Sequence, residues 1–319
     1  MKVIHICTHY NNYKDNISPF IRSQCISLEK EGLNIEYYRI KFKGLFGFLR
    51  NILSIKEYTS KKDYDILHAH GHASLLLPFV KSNSKFISYM GNEIVGDYKF
   101  SGSTTLLSKF RAYFVRLSSF SADCVLVKSE SMLKFFKNSS KKKFKILPNG
   151  VNIVKFKPMD KYQIRNKLKI REDEKIILFG SSRKRSVKNY YLAQSAFLKL
   201  PKNKYKFFYL ENIPHVCMPY LLNALDILVL TSFFEGSPNI VKEALSCGLP
   251  VISVDVGDVK KQLHGAGNCQ IVNPDSSIIA QAIIKNFKSM NKRKSISNKK
   301  ISTESISAKL IDLYQEFSA

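Results

Sequence analysis

The stretch "FFEGSPNIVKEALSCGLPVISVDVGDV", Phe233 to Val259, sets a glutamate, a glycine and a proline just ahead of a short helical pattern, with a second glutamate eight positions after the first. The apolar run "DILVL" before it ends near Leu230 and reads as a buried strand, as does "PVISV" after it. Ser237 suits an N-cap and Pro238 a first helical residue, while Cys247-Gly248-Leu249-Pro250 supplies a glycine cap and a proline stop. Strand, helix and strand in this order are the repeating unit of a parallel sheet covered by helices.

The same alternation runs through most of the chain. "KVIHIC", "NIEYYRI", "DILHAH", "FISYM", "CVLVK" and "FKILP" read as strands before residue 150, separated by helical patterns such as "PFIRSQCISLEKEG". After the turn signal "LPNGVN" a second set begins: "KIILFG", "YKFFYL", "DILVL", "PVISV" and "CQIV". Two successive α/β sets imply two doubly wound domains, residues 1–155 and 156–302. Ile306, Leu310, Leu313 and Phe317 then mark one apolar face of a terminal helix, 303–319, which must dock elsewhere.

Composition narrows the partners. The 319 residues carry 51 Lys and Arg against 25 Asp and Glu, a net charge of +26, which suits an anionic partner: nucleic acid, an acidic membrane surface or a phosphorylated small molecule. No nucleic-acid-binding module is evident, so nucleic acid is not expected. Six scattered cysteines without a C-x-x-C pair read as buried free thiols in a reducing compartment. The N-terminal apolar run is too short for a signal peptide and "ASLLLPFV" too short for a membrane span. A cytoplasmic protein is expected.

Ligands of open parallel sheets bind beyond the carboxyl ends of the strands. After "KIILFG", Arg183, Lys184, Arg185 and Lys188 crowd the approach to a helix expected to start near Asn189, where free N–H groups already favour anions. After "DILVL", Glu235 sits at the mouth of a helix, with Asn239 and Glu243 sharing a face inside it. Each carboxylate can accept two hydrogen bonds from vicinal hydroxyls, so two of them can hold two sugar rings. Val256-Gly257-Asp258 leaves a third strand end and is a weaker signal.

In order along nearly the whole chain, "SPFIRSQCISLEKEG", "DILHAHGHASLLLPF", "ADCVLVKSE", "LPNGVN", the stretch from "YLLNALDILVL" through "PVISVDVGD", and "IVNPDSSIIAQAI" resemble the retaining glycosyltransferases of family four. The resemblance implies the GT-B fold of two facing Rossmann-like domains, with the C-terminal helix docking back on the N-terminal one. It implies sugar transfer with retention from a nucleotide diphosphate donor, UDP- or GDP-linked, with no metal and no further cofactor. By position, Glu235 with the backbone of Gly236, Ser237, Pro238 and Asn239 would contact the donor sugar, and Glu243 the ribose. Lys188, with Arg183 or Arg185, would neutralise the leaving diphosphate, the main catalytic effect expected.

Two departures fall on the acceptor side. "CTHYNNYKDN" lacks the Gly-Gly pair common after the first strand, and Met90 stands where many members have His. Asn11, His72, Asn92 and Glu93 are the acceptor-side candidates. His68, His70 and His72 alternate along one strand, but without an acidic or Cys partner nearby they are not expected to bind a metal.

"KFKGLFGFLRNILSIKEY" and "TTLLSKFRAYFVRLSSF" mix basic and large apolar residues, and "IIKNFKSMNKRKSISNKK" is basic without an acid. With the net charge, the first two favour peripheral attachment to an anionic membrane, while the third reads as a solvated linker or helix face. The expected activity is extension of a lipid-linked bacterial surface polysaccharide or lipopolysaccharide with a hexose-type sugar. The competing readings are a nucleotide-sugar 2-epimerase of the same fold and a non-catalytic basic protein that binds RNA or membranes.

Overall fold

The computed structural model describes residues 1–8, 17–42, 44–136, 143–289 and 299–318. They form two compact units, each built on one fully parallel sheet.

The first unit comprises Met1–Asp97, Thr104–Gly150 and Thr303–Ala319. Its strands β1 (Lys2–Cys7), β2 (Asn34–Arg39), β3 (Ile66–His70), β4 (Ser84–Ser88), β5 (Cys124–Val127) and β6 (Phe144–Ile146) lie in the order β2-β1-β3-β4-β5-β6. All five residues of β3 and all four of β5 are buried, as a strand covered on both faces requires. Helix α1 (Pro19–Lys30) ends on Gly32 at φ +87°, which lets the Gly32 and Leu33 amides reach back to the Glu29 and Leu28 carbonyls. The terminal helix α11 (Thr303–Ser318) packs beside α1 and completes the core of this unit. Its Ile306, Leu310 and Tyr314 meet Val3, Ile66, Phe86 and Leu126. Ser84 Oγ donates to the Phe317 carbonyl at 2.5 Å and holds the helix end to the sheet. Helix α2 (Gly44–Ser60), a 3-10 turn over Gly71–Phe79 and helix α3 (Leu106–Leu117) follow the later strands, with the turn packed against both helices. Right-handed crossovers put them on the sheet face away from α1.

The second unit comprises Tyr98–Ser103 and Val151–Ser302. Strands β7 (Ile176–Phe179), β8 (Lys206–Tyr209), β9 (Ile227–Leu230), β10 (Val251–Val254) and β11 (Gln270–Val272) are ordered β11-β10-β9-β7-β8. The chain runs from β7 outward to β8 and returns to place β9 on the other side of β7, so the sheet has its switch point between β7 and β9. Buried Asp226 anchors the base of β9, accepting from the Ile176 amide at 2.7 Å and from Arg165 Nη2 at 2.8 Å. The join between the units falls at Gly150 and Val151, and the second unit also takes in a six-residue segment from the first half of the sequence.

Candidate functional site

The carboxyl ends of β7 and β9 flank the switch point, where two loops leave in opposite directions and open a crevice. Backbone and hydroxyl bonds tie these loops together. The Phe233 amide donates to the Val187 carbonyl at 2.9 Å, and Thr231 Oγ1 donates to the Lys188 and Asn189 carbonyls at 3.1 and 2.9 Å. Asn189 takes the left-handed conformation (φ 52°), and helix α6 (Tyr190–Leu198) begins after it. The result is a Lys188 Nζ to Glu235 Oε1 ion pair at 2.5 Å, with both side chains about nine-tenths buried (10% and 11% exposed). Ser232 Oγ donates to the same carboxylate oxygen at 2.6 Å. Burial pushes the Lys188 ammonium below its ordinary range and Arg185 adds to this, while Glu235 pulls it back up.

Helix α8 (Asn239–Ser246) carries the second carboxylate. Its C-terminus closes as the sequence implies: Gly248 at φ +73° donates to Leu245, and Leu249 donates to Ala244. Its N-terminus does not. Pro238 is the N-cap and Asn239 the first helical residue, because Ser237 is drawn into tertiary bonds. Ser237 Oγ donates to Asp258 Oδ2 at 2.8 Å and accepts from Lys242 Nζ at 3.0 Å and Gln262 Nε2 at 3.2 Å. Directly behind the loop lies Gly257, with φ +62°; a Cβ there would stand 2.5 Å from the Gly236 carbonyl oxygen and 3.0 Å from that of Glu235. Only glycine fits this position. Glu243, buried, bonds His215 Nε2 at 2.9 Å, and that hydrogen bond raises the imidazole above its usual range against the effect of burial.

Of the basic loop, only Lys188 turns inward. Arg183 pairs with Glu211 at 3.2 Å and lies 4.3 Å over the Tyr209 ring, and Arg185 is exposed. Gly236 and Pro238 are buried beside Glu235, and Asn239 is half-buried at the start of α8. Asn239 Oδ1 and Ser181 Oγ are buried without a hydrogen-bond partner among the described residues. Tyr98 stacks on Phe233 (5.7 Å, 11°), and its carbonyl accepts from Ser186 Oγ. Two carboxylates and one cation at the open end of a sheet, beside unpartnered acceptors, can exchange their mutual bonds for hydroxyl and phosphate groups of a ligand.

The remaining candidates belong to the first unit. Glu93 is buried and accepts from the amides of Met90 and Gly91, the latter at 2.9 Å, so it fixes the turn after β4. Asn92 opens the short 3-10 turn Asn92–Ile94. His72 leaves Nε2 buried without a partner among the described residues; burial lowers its pKa and Glu93 raises it. Asn11 lies outside the described residues. The histidines group differently from the reading along a single strand: His5 on β1, opposite His68, joins His68 and His70, and His72 stands apart. The three rings stack 4.4 to 5.1 Å apart, and His68 uses both nitrogens, on Tyr314 OH (2.5 Å) and Ser88 Oγ (2.8 Å). The ring nitrogens of the three lie within 4.8 Å of one another, and His5 Nδ1 and His70 Nε2 share a hydrogen bond at 2.8 Å, so the trio is hydrogen-bonded within the core.

Sequence reasoning passed over His215, Ser232, Lys242 and Tyr98, and took Asp258 only as part of a weak strand-end signal. The Gly-Asp pair at 257–258 was the one available signal among them.

Residues 162–289 match the family described as Glycosyl transferases group 1. A UDP-Gal:alpha-D-GlcNAc-diphosphoundecaprenol alpha-1,3-galactosyltransferase of Escherichia coli is 22% identical over 265 residues, 70% of this chain and 64% of that protein, so the match spans a little under two thirds of the relative's length. Among solved structures, sucrose-phosphate synthase from Thermosynechococcus elongatus superposes with a TM-score of 0.82 at 16% identity, covering 99% of this chain and 98% of its own. The Anabaena protein HepE, solved with UDP, superposes with a TM-score of 0.69 at 15% identity, covering 99% and 100%. The chain therefore has the GT-B fold, and its second unit is a Glycosyl transferases group 1 domain.

Proposed function

We propose that this protein is a retaining, metal-independent glycosyltransferase. It moves a hexose-type sugar from a UDP- or GDP-linked donor to a growing, lipid-linked bacterial surface polysaccharide or lipopolysaccharide. The observation that carries the reading is the buried Lys188–Glu235 pair at the switch point, with the Glu243 carboxylate on the adjoining helix. In this reading Lys188 meets the diphosphate and stabilises the charge that develops as it leaves, Glu235 accepts from the sugar hydroxyls, and Glu243 accepts from the ribose with His215 orienting it. Arg185 is exposed and close enough to act electrostatically on Lys188, and Arg183 joins only by leaving Glu211. The E. coli relative's UDP-linked donor and diphosphoundecaprenol acceptor support the donor class and the lipid-linked acceptor.

Attachment to an anionic membrane at the cytoplasmic face is part of the proposal, and α3 supports it. This helix buries small residues, Ser108, Ala112 and Val115, and turns its large ones outward: Leu106 is 85% exposed, Leu107 79% and Phe110 62%. Phe46 of α2 is 83% exposed. Residues 104–120 contain Lys109, Arg111 and Arg116 and no acid; Asp97 pairs with Arg111, which leaves the face with a net positive charge that anionic headgroups complement.

The test is calorimetric binding of UDP, GDP, ADP and their common sugar conjugates to wild type, Glu243→Ala and Lys188→Ala. One nucleotide bound tightly and lost in both variants is the expected result. Binding indifferent to either substitution would move the donor site elsewhere, and no binding at all would favour a basic scaffold protein.

A further inference from the structure

The loop that presents Glu235 is held from behind by four side chains that do not touch that carboxylate. Ser237 has one hydroxyl hydrogen and two lone pairs. All three are used, by Asp258 Oδ2, Lys242 Nζ and Gln262 Nε2 at 2.8, 3.0 and 3.2 Å. Gln262 Nε2 also reaches Asp258 Oδ1 at 2.6 Å. The partners come from α8 and from the short helix α9 (Val259–Gln262) with its leading Asp258, so the network pins the loop to two helices at once. Lys242 is 2% exposed and Ser237 7%. Taking an ammonium this far out of water is unfavourable, and its pKa falls to about 8 through burial, against the pull of Asp258 and Glu243. An apolar side chain would fill the same space without that cost, so packing alone does not account for the lysine. What the network does account for is geometry: it ties Ser237 to α8 and α9 on one side while Gly257 packs closely against the Gly236 and Glu235 carbonyls on the other.

We propose that Lys242 and Ser237 are positioning residues that set the height of the Glu235–Gly236 backbone, and thereby select for the sugar portion of the donor without governing the hold on its nucleoside diphosphate portion. This rests on the donor reading above, in which Glu235 meets the sugar and Glu243 the ribose.

Calorimetry on the full-length chain separates the two portions. The probes are the nucleoside diphosphate that binds wild type and its sugar conjugate, with Lys242→Met and Ser237→Ala as variants and Ser237→Thr to restore the hydroxyl. The expected result is at least about tenfold weaker binding of the sugar conjugate in Lys242→Met and Ser237→Ala, the equivalent of one charge-assisted hydrogen bond's worth of geometry. The nucleoside diphosphate changes by less than about twofold, and Ser237→Thr recovers most of the loss. Unfolding midpoints recorded alongside identify any variant that fails to fold, and the serine series then carries the decision. Equal weakening of both ligands, or of neither, overturns the positioning role while leaving the donor site standing. A wild type that binds no nucleotide removes the donor reading and this inference with it.

Discussion

The Lys188–Glu235 pair yields a quantitative test that does not require a substrate. With 2.5 Å between the charged atoms and both side chains about nine-tenths buried, the attraction is strong, but so is the desolvation each ion suffers. The energetics are therefore asymmetric. Glu235→Gln leaves an uncompensated ammonium in the interior, and the loss of one partner of a buried pair costs about 3–5 kcal/mol. Lys188→Met leaves Glu235 with the Ser232 hydroxyl, which softens that loss to about 2 kcal/mol. In Lys188→Met combined with Glu235→Gln neither charge remains to be stranded, so the double variant should be less damaged than the two losses added together, by about 2 kcal/mol or more. In urea, with a slope of about 2–3 kcal/mol per molar, the glutamate variant should lose about 1–2 M of midpoint, and the double variant should sit near or above it. Single losses that add to within about 0.5 kcal/mol in the double variant would mean the two groups are not coupled, and the pair as described would be refuted.

Three further outcomes can be checked. Burial holds His5 down to about 3 and His68 and His70 well below the ordinary range, so the unfolded chain, whose imidazoles titrate near 6.5, binds more protons below that pH. Stability should then fall as pH drops below about 6.5, by up to about 4 kcal/mol per pH unit for the three, and His70→Gln should shallow the slope by about a third; urea midpoints at pH 7 and 5.5 measure it. Gly257→Ala puts a Cβ 2.5 Å from the Gly236 carbonyl oxygen in a left-handed conformation, so a loss of about 2–4 kcal/mol and a displaced Glu235 loop are expected; an unchanged thermal midpoint would contradict the close approach. Leu106→Ser with Leu107→Ser should reduce sedimentation with anionic phosphatidylglycerol vesicles at least about tenfold, with little effect on the fold because both side chains are exposed; unchanged vesicle binding would remove α3 from the membrane reading.

The eleven strands among the described residues were legible because each is a short run rich in β-branched and aromatic residues whose meaning depends on its neighbours in sequence. That Lys188 and Glu235 lie together was legible for a related reason: each sits on a loop that leaves one of two neighbouring strand ends, and parallel sheets bring such ends together. Ser237 was misread because the local rule for helix caps competes with three long-range partners, and the partners win. His5 joined His68 and His70 across a strand pairing that alternation along one strand does not reveal. On α3 the amphipathic pattern was visible, but not which face turns inward. Ser108, Ala112 and Val115 took the inner side, where α3 packs against the 3-10 turn over Gly71–Phe79.

The segment Tyr98–Ser103 bears on how the chain is made. It belongs to the second unit, yet it leaves the ribosome well before the loop it covers, since Phe233 follows roughly 10–30 s later at ordinary rates of synthesis. Through that interval Tyr98 has no ring to stack on, and for the first part of it, until Ser186 is made, the Tyr98 carbonyl has no hydroxyl to receive. The second unit therefore closes its aromatic lid only after its own strands exist, and a fragment cut at the join near residue 150 would be born without it, with Phe233 bare beside the Lys188–Glu235 pair.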